Sequence, residues 1–446
     1  MLKKIKGYKR VLVFVGIVFA MMVVGLLVYK AVTRQMLNNR IEHYRDLGYP
    51  MSIEEANEYF YKNVKDLPNK ADMVREAIAA IDIWNSSNNI GRLDIVPVVG
   101  SATLDRRQWM TQEQLERSIE FLDDNKQTLD ILYELLNDPR QCYMLTEVWV
   151  NLGVPEYLSD MRTLVKLLWL KAKVDIQQGR IDEGILGIKK VFELASLLDN
   201  DRLMICKLVS MSIQAIAIEM AAECLNLCQL NPEQLNDLIV IFADARINMS
   251  SPKDTYILER AILADAAIND NLKQDYLYNT KEWEWRAYHA LADDNDLVQS
   301  FDMNQVFIDC ADDLDWKKMH RALSMPDMAK RYNGYERFIN QLSTLQAKLD
   351  SGLFWIHGKL IMQMTMVQMA AKMELYCLDK GRFPDTLELL TPGYISEIPV
   401  DLFSGAELKY VKLDDGYMLY SVGYDMTDDG GNEEDDIVFV VQRQLN

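Results

Sequence analysis

The sequence predicts a mainly helical protein: an N-terminal transmembrane helix, an irregular helical bundle, and a small C-terminal α+β domain with a three-stranded antiparallel sheet. Three observations carry this. Residues 11–29 hold no charged side chain. Apolar residues then recur at helical spacing to about residue 350. Beyond residue 400 short strand-like runs replace that spacing. The predicted divisions are 1–32, a cytoplasmic tail and anchor; 33–350, the helical body; and 351–446, the α+β domain with an acidic loop.

The anchor is the run Val11–Tyr29, nineteen residues long. As a helix it extends about 28 Å, close to the hydrocarbon thickness of roughly 30 Å. A helix closes its backbone hydrogen bonds internally, which lipid requires. A cleaved signal peptide is the competing reading; the run is longer than a usual h-region, and no small-x-small site follows it. Lys3, Lys4, Lys6, Lys9 and Arg10 crowd one end, while Lys30, Arg34, Arg40 and Arg45 are spread along the other. The denser cluster is expected to stay cytoplasmic. The bulk of the chain then faces the periplasm from the inner membrane.

In the body, Ser52-Ile-Glu-Glu and Thr111-Gln-Glu-Gln have the form of capping boxes, and Asn231-Pro232 sets a cap residue before a proline at the first helical position. Leu164–Leu170 and Ile185–Ala195 are amphipathic runs separated by Gly179-Arg180, so they read as a helical hairpin. A third helix is expected from about Arg202 to Cys228. Leu93–Val99 alone has strand-like or irregular character. The hairpin resembles a tetratricopeptide unit, with Gly179 at the turn and Gly184 where a small residue packs. One copy does not make a solenoid, so the expectation is an irregular bundle. The segment Arg202–Asp270, through Asn231-Pro232-Glu233-Gln234-Leu235 and Leu258-Glu259-Arg260-Ala261, resembles a group of uncharacterised bacterial membrane-anchored helical proteins; that resemblance implies no activity.

Lys and Arg total 48 against 67 Asp and Glu, a net charge of −19, which argues against a nucleic-acid backbone as partner. The six cysteines are scattered and the four histidines form no zinc spacing. Cys224 and Cys228 read as small buried residues of one helix. Asp293-Asp294 and Asp312-Asp313 read as solvated faces, since paired carboxylates do acid–base work only where their surroundings split their pKa values. Trp283, Trp285 and Tyr288 read as core packing, with a ligand-binding aromatic patch as the alternative. The methionines at 362, 364, 366, 369 and 373 read as an interface between the body and the segment after it. No nucleophile elbow, P-loop or GxGxxG is present.

After a helix ending at Lys380 and Gly381, the chain carries Arg382-Phe383-Pro384, Leu390-Thr391-Pro392, Ile398-Pro399-Val400-Asp401, Tyr420–Asp425 and Asp436-Ile437. Strands are predicted at 408–411, 417–421 and 437–441, with Asp415-Gly416 as the first hairpin turn. This order over residues 359–441 resembles the globular part of the type II secretion major pseudopilin. The start departs from that family: Gly7 is followed by Tyr8-Lys9-Arg10-Val11-Leu12, with leucine where the family has glutamate, so prepilin processing is not expected. Assembly into a filament is correspondingly doubtful, because the membrane helix lies far from the module in sequence.

The resemblance implies a calcium-binding loop between the last two strands. Local chemistry agrees: residues 425–436 hold seven carboxylates and no cation. Calcium takes six to eight oxygens from carboxylates and carbonyls. The resemblance favours Asp425 with a carboxylate at Asp435 or Asp436; Asp428 or Asp429 supplies another, and carbonyls near Ser421–Gly423 the remainder. The functional expectation is a non-enzymatic envelope protein, a scaffold or partner-docking module beside a secretion or surface-assembly system, with a calcium-ordered cap. The alternatives are an envelope enzyme with a motif-less site in the body and a minor pseudopilus component.

Overall fold

The computed structural model describes residues 2–81, 108–148, 154–269, 293–323 and 341–442. The expected features at Leu93–Val99 and at Trp283, Trp285 and Tyr288 lie outside them. In chain order the helices are α1 (Leu2–Asp46), α2 (Ile53–Phe60), α3 (Ala71–Ala79), α4 (Gln112–Asp124) and α5 (Lys126–Asn137). Then come α6 (Tyr157–Gln177), α7 (Ile181–Ser196), α8 (Met204–Leu227), α9 (Pro232–Ile247) and α10 (Lys253–Ile268). The last are α11 (Asp293–Ala311), α12 (Trp316–Leu323) and α13 (Gln341–Lys380). Strands β1 (Lys409–Leu413), β2 (Gly416–Ser421) and β3 (Ile437–Gln442) follow. The chain is mainly helical with one small antiparallel sheet, and α1 is long and apolar enough to span a membrane.

Contacts gather the chain into two compact units. One comprises Met1–Phe60, Tyr256–Cys310 and Lys318–Gly352; the other comprises Tyr61–Thr255, Ala311–Lys317 and Leu353–Asn446. The sequence segments 33–350 and 351–446 are therefore interleaved: the C-terminal sheet shares its unit with α3 to α9.

In the first unit α1 does two jobs in succession. From Val13 to Tyr29 its side chains are almost all exposed. Further along, Leu37, Ile41 and Tyr44 lie on one face at helical spacing and enter a core with Leu263, Leu297 and Phe301. Its basic residues are committed here as well. Arg34 and Lys30 pair with Asp294, Arg40 with Asp302, and Arg45 with Glu55. Asp294 is thus buried and ion-paired, where the sequence predicts a solvated face; Arg34 of α1, which holds it, is 260 residues away. At α2 the Ser52 hydroxyl accepts the Glu55 N–H, but the Glu55 carboxylate turns to the Met51 N–H, so only half of the capping box forms.

In the second unit the predicted hairpin is α6 and α7. Gly179 takes φ +80° at the turn. Gly184 fits because a Cβ there would stand 2.3 Å from Ile176 Cγ1, so the two helices meet without a side chain between them. Both caps at Thr111 and Asn231 form complete capping boxes. Helix α8 has the length and hydropathy of a membrane span, yet it is largely buried and serves as the core helix. Cys224 and Cys228 are buried and not joined in a disulfide.

The sheet runs β1-β2-β3, antiparallel throughout. Leu413 pairs with Gly416, so the turn residues are Asp414-Asp415, one position earlier than the sequence predicts. Gly416 serves another purpose: a Cβ there would stand 2.0 Å from the Val441 carbonyl oxygen on β3. At the outer edge of β3 the Asn226 side chain pairs with the strand. The Asn226 amide donates to Val440 O (3.3 Å) and accepts from Gln442 N (2.9 Å), pairing with the strand as another backbone would. The methionines at 362, 364, 366, 369 and 373 are all buried, with Arg246 of α9 reaching Thr365 among them. Trp316 is 1% exposed and sits among Phe354, Trp355, Phe403 and Tyr424.

Candidate functional site

Two features combine exposed chemistry with a defined frame, the acidic loop and a groove on the helices. The loop leaves β2 through Gly423, whose φ of +68° and 2.4 Å clearance to Asp435 O exclude a side chain. Asp401, fully buried, pins that exit: it accepts from the Ser421 hydroxyl (2.6 Å), Val422 N (3.3 Å), Phe403 N (3.1 Å) and the Ser404 hydroxyl (2.8 Å). The motif residue Asp401 therefore earns its place as a structural staple.

The five predicted ligands behave differently from one another. Asp428 is already satisfied: Lys409 Nζ lies 3.0 Å away, and the Tyr420 hydroxyl and Gly430 N–H donate to it. Lys409 foremost, then those donors, hold its carboxyl below the usual range. Asp425 caps the turn by accepting from Thr427 N at 2.9 Å, and Asp435 accepts from the Asn432 amide at 3.2 Å. Asp429 is pushed up, by local desolvation and by repulsion from Asp425, Asp435, Asp436 and Asp428. Asp436 is 6% exposed; its Oδ2 accepts from Gly431 N (2.7 Å) and Asn432 N (3.2 Å), while its Oδ1 is buried with no partner. The set is all oxygen, which suits a hard cation, and the orphaned Asp436 Oδ1 is an acceptor the protein leaves unused. Among the described residues, however, no three His, Cys, Asp or Glu side chains are grouped closely enough to hold a metal as they stand.

The second feature escapes motif reading. Helices α7 and α9 run side by side in the same direction, tied at one end by Gln234 Nε2 donating to Asp182 (2.7 Å). Between them lies a groove of about 500 Å³. Its apolar surface comes from Ile185, Leu186, Phe192, Val240 and Ile241, and Val240 is 56% exposed. Carboxylates of Asp182, Glu193, Asp199, Asp237 and Asp244 line it against the single ammonium of Lys189. Its deep side includes Gln214 of α8, 6% exposed, whose Nε2 reaches Ser210 Oγ while its Oε1 has no partner. The sequence does carry the signal: Asp237, Val240, Ile241 and Asp244 recur at helical spacing on one face, acid and apolar together.

Burial also displaces carboxyl groups outside the loop. Burial pushes Asp201 up to about 6, against the opposing effect of Tyr157 and the Leu145 N–H. Burial likewise raises Asp350 to about 8. Asp201 belongs to one unit and Asp350 to the other. Only Asp199, raised by burial, borders the groove; there it accepts from Ser250 Oγ at 2.9 Å, and Lys207 donates to Ser250. No family model, curated protein or solved structure matches this chain.

Proposed function

We propose that this chain is a non-enzymatic, membrane-anchored envelope protein that holds a partner beside the membrane, with its C-terminal loop ordered by calcium. The observation that carries the reading is the continuity of α1, which passes without a break from exposed apolar residues into the core of a folded unit. An anchor built into the fold suits a scaffold better than a removable address. Orientation follows from charge. Five cations crowd residues 3–10 on one side of the apolar run, whereas the four on the other are spread over residues 30–45, so the denser cluster faces the cytoplasm. Protease added to intact spheroplasts is expected to digest everything beyond residue 45; protection of that region until lysis would reverse the orientation.

The helix–loop–three-strand order after Lys359 supports the pseudopilin-like reading of the module, and with it a place beside a secretion or surface-assembly system. Asp429 and Asp436, with Asp425 and Asp435, are the side chains available to calcium; Asp428 is committed to Lys409. When bound, calcium supplies the positive charge that seven carboxylates in twelve residues lack. Terbium luminescence on the full chain in detergent is expected to report a site displaced by calcium at about 0.1–1 mM. Asp436→Asn is expected to abolish the signal and Asp428→Asn to preserve it. Silence at millimolar terbium would remove calcium from the reading.

A further inference from the structure

We infer that the groove between α7 and α9 binds an extended peptide segment in which apolar and basic residues alternate, supplied by a partner protein. This names the partner's chemistry and so rests on the docking role proposed above. Four observations point to that occupant and away from others.

The first is shape. The lining of α7 runs from Asp182 to Ser196, fourteen helical steps or about 21 Å. About six extended residues span that distance. Ile185, Leu186 and Phe192 recur along that length, where a compact ligand would need one deep pocket.

The second is charge. Five carboxylates face the groove against one lysine, and they stand on both sides of it: Asp182 and Glu193 on α7, Asp237 and Asp244 on α9. Neither Asp237 nor Asp244 makes an ion pair among the described residues, whereas Glu193 is engaged with Lys190 at 2.7 Å. Asp237 and Asp244 are seven residues apart, two helical turns, or about 10 Å. Basic side chains of an extended segment recur on one side every second residue, at about 7 Å, and lysine is long enough to take up the difference.

The third is the floor. Leu186 and Val240 are exposed apolar residues on facing helices, flanking Phe192 and Ile241. Apolar side chains at alternate positions of the segment would cover them while the basic ones meet the rims.

The fourth is independent of charge. Gln214 Oε1 is a buried acceptor without a donor, and leaving such a group unsatisfied is costly. A peptide backbone offers N–H donors along its length, whereas an aliphatic ligand offers none.

Fluorescence anisotropy on the full chain in neutral detergent tests this, with labelled Lys-Leu-Lys-Leu-Lys-Leu and Glu-Leu-Glu-Leu-Glu-Leu as probes. The basic peptide is expected to bind at least tenfold more tightly than the acidic one. The double variant Asp237→Lys/Asp244→Lys is expected to weaken it tenfold or more. A matched reversal elsewhere on the acidic surface, Glu113→Lys/Glu116→Lys on α4, is expected to change it less than twofold. Equal losses in the two double variants would reduce the effect to net charge and overturn the proposal, as would equal binding of both peptides. Gln214→Leu separates the floor from the rim: a threefold or greater loss is expected, and no loss removes the backbone contact. If these tests fail while spheroplast digestion gives the expected topology, the groove is wrong and the anchored scaffold stands. If digestion fails instead, the orientation reverses and the groove is judged on peptide binding alone.

Discussion

Replacing Trp316 by alanine is expected to destabilise the second unit by about 3–5 kcal/mol, the range for emptying a large aromatic site in a core. The indole is edge-on to Phe403 with ring centres 4.6 Å apart, lies over Phe354 at 5.6 Å, and also meets Trp355 and Tyr424. These partners come from α13, from the loop before β1, and from the loop after β2. No single backbone movement can bring all of them together over the void. The melting temperature in detergent is expected to fall by about 10 °C. The loss should be felt at Tyr424, which precedes the acidic loop, so terbium binding is expected to weaken in the same variant. Trp316→Phe keeps the ring and should recover most of the stability. A loss under about 1 kcal/mol for the alanine variant would mean the cluster is not cooperative.

The second large effect concerns pH. Asp350 is completely buried in the first unit, where Asn304 and Gln346 donate to its two oxygens at 3.1 and 2.8 Å. Burial is the main cause of its rise to about 8, from an unfolded value near 3.9. The folded state therefore holds the proton more tightly than the unfolded one. That contribution to stability is complete below about pH 4, declines as the pH rises, and is gone above about pH 8. Asp350→Asn has no charge to bury, and its amide can donate to the Asn304 oxygen that now lacks a partner. The variant is expected to gain on the parent steadily between pH 5 and pH 8.5, opening a gap of about 5–10 °C in melting temperature. A gap that stays constant over this range would show that Asp350 does not titrate between the two states.

These residues also mark where sequence reasoning succeeds and where it stops. Periodicity and caps locate elements because they are local: Thr111 and Gln114 satisfy one helix end between them, and so do Asn231 and Gln234. Gly184 is legible for the same reason, since its contact Ile176 lies just across the hairpin. Asp294 is not legible, because Arg34 and Lys30, far away in sequence, make it a buried ion-pair partner. Gly416 is half legible. It reads as a turn residue, but it is required by the carbonyl of Val441 on another strand. The groove fails in a third way. Each of its two rims reads as an ordinary amphipathic helix with solvated acids, and only their parallel placement makes a surface. The acidic loop was legible in composition, but composition did not reveal that Lys409 already holds Asp428 while Asp436 keeps one oxygen unsatisfied.

The way α1 joins the first core has a mechanical consequence. Leu37 is 1% exposed and lies only eight residues beyond Tyr29, about 12 Å along the helix axis. No swivel separates the exposed apolar stretch from the packed one. A change in bilayer thickness or in helix tilt would therefore act on the folded unit as torque, where a flexible tether would absorb it. In the anchored reading proposed above, the membrane would act as a clamp that sets attitude as well as location.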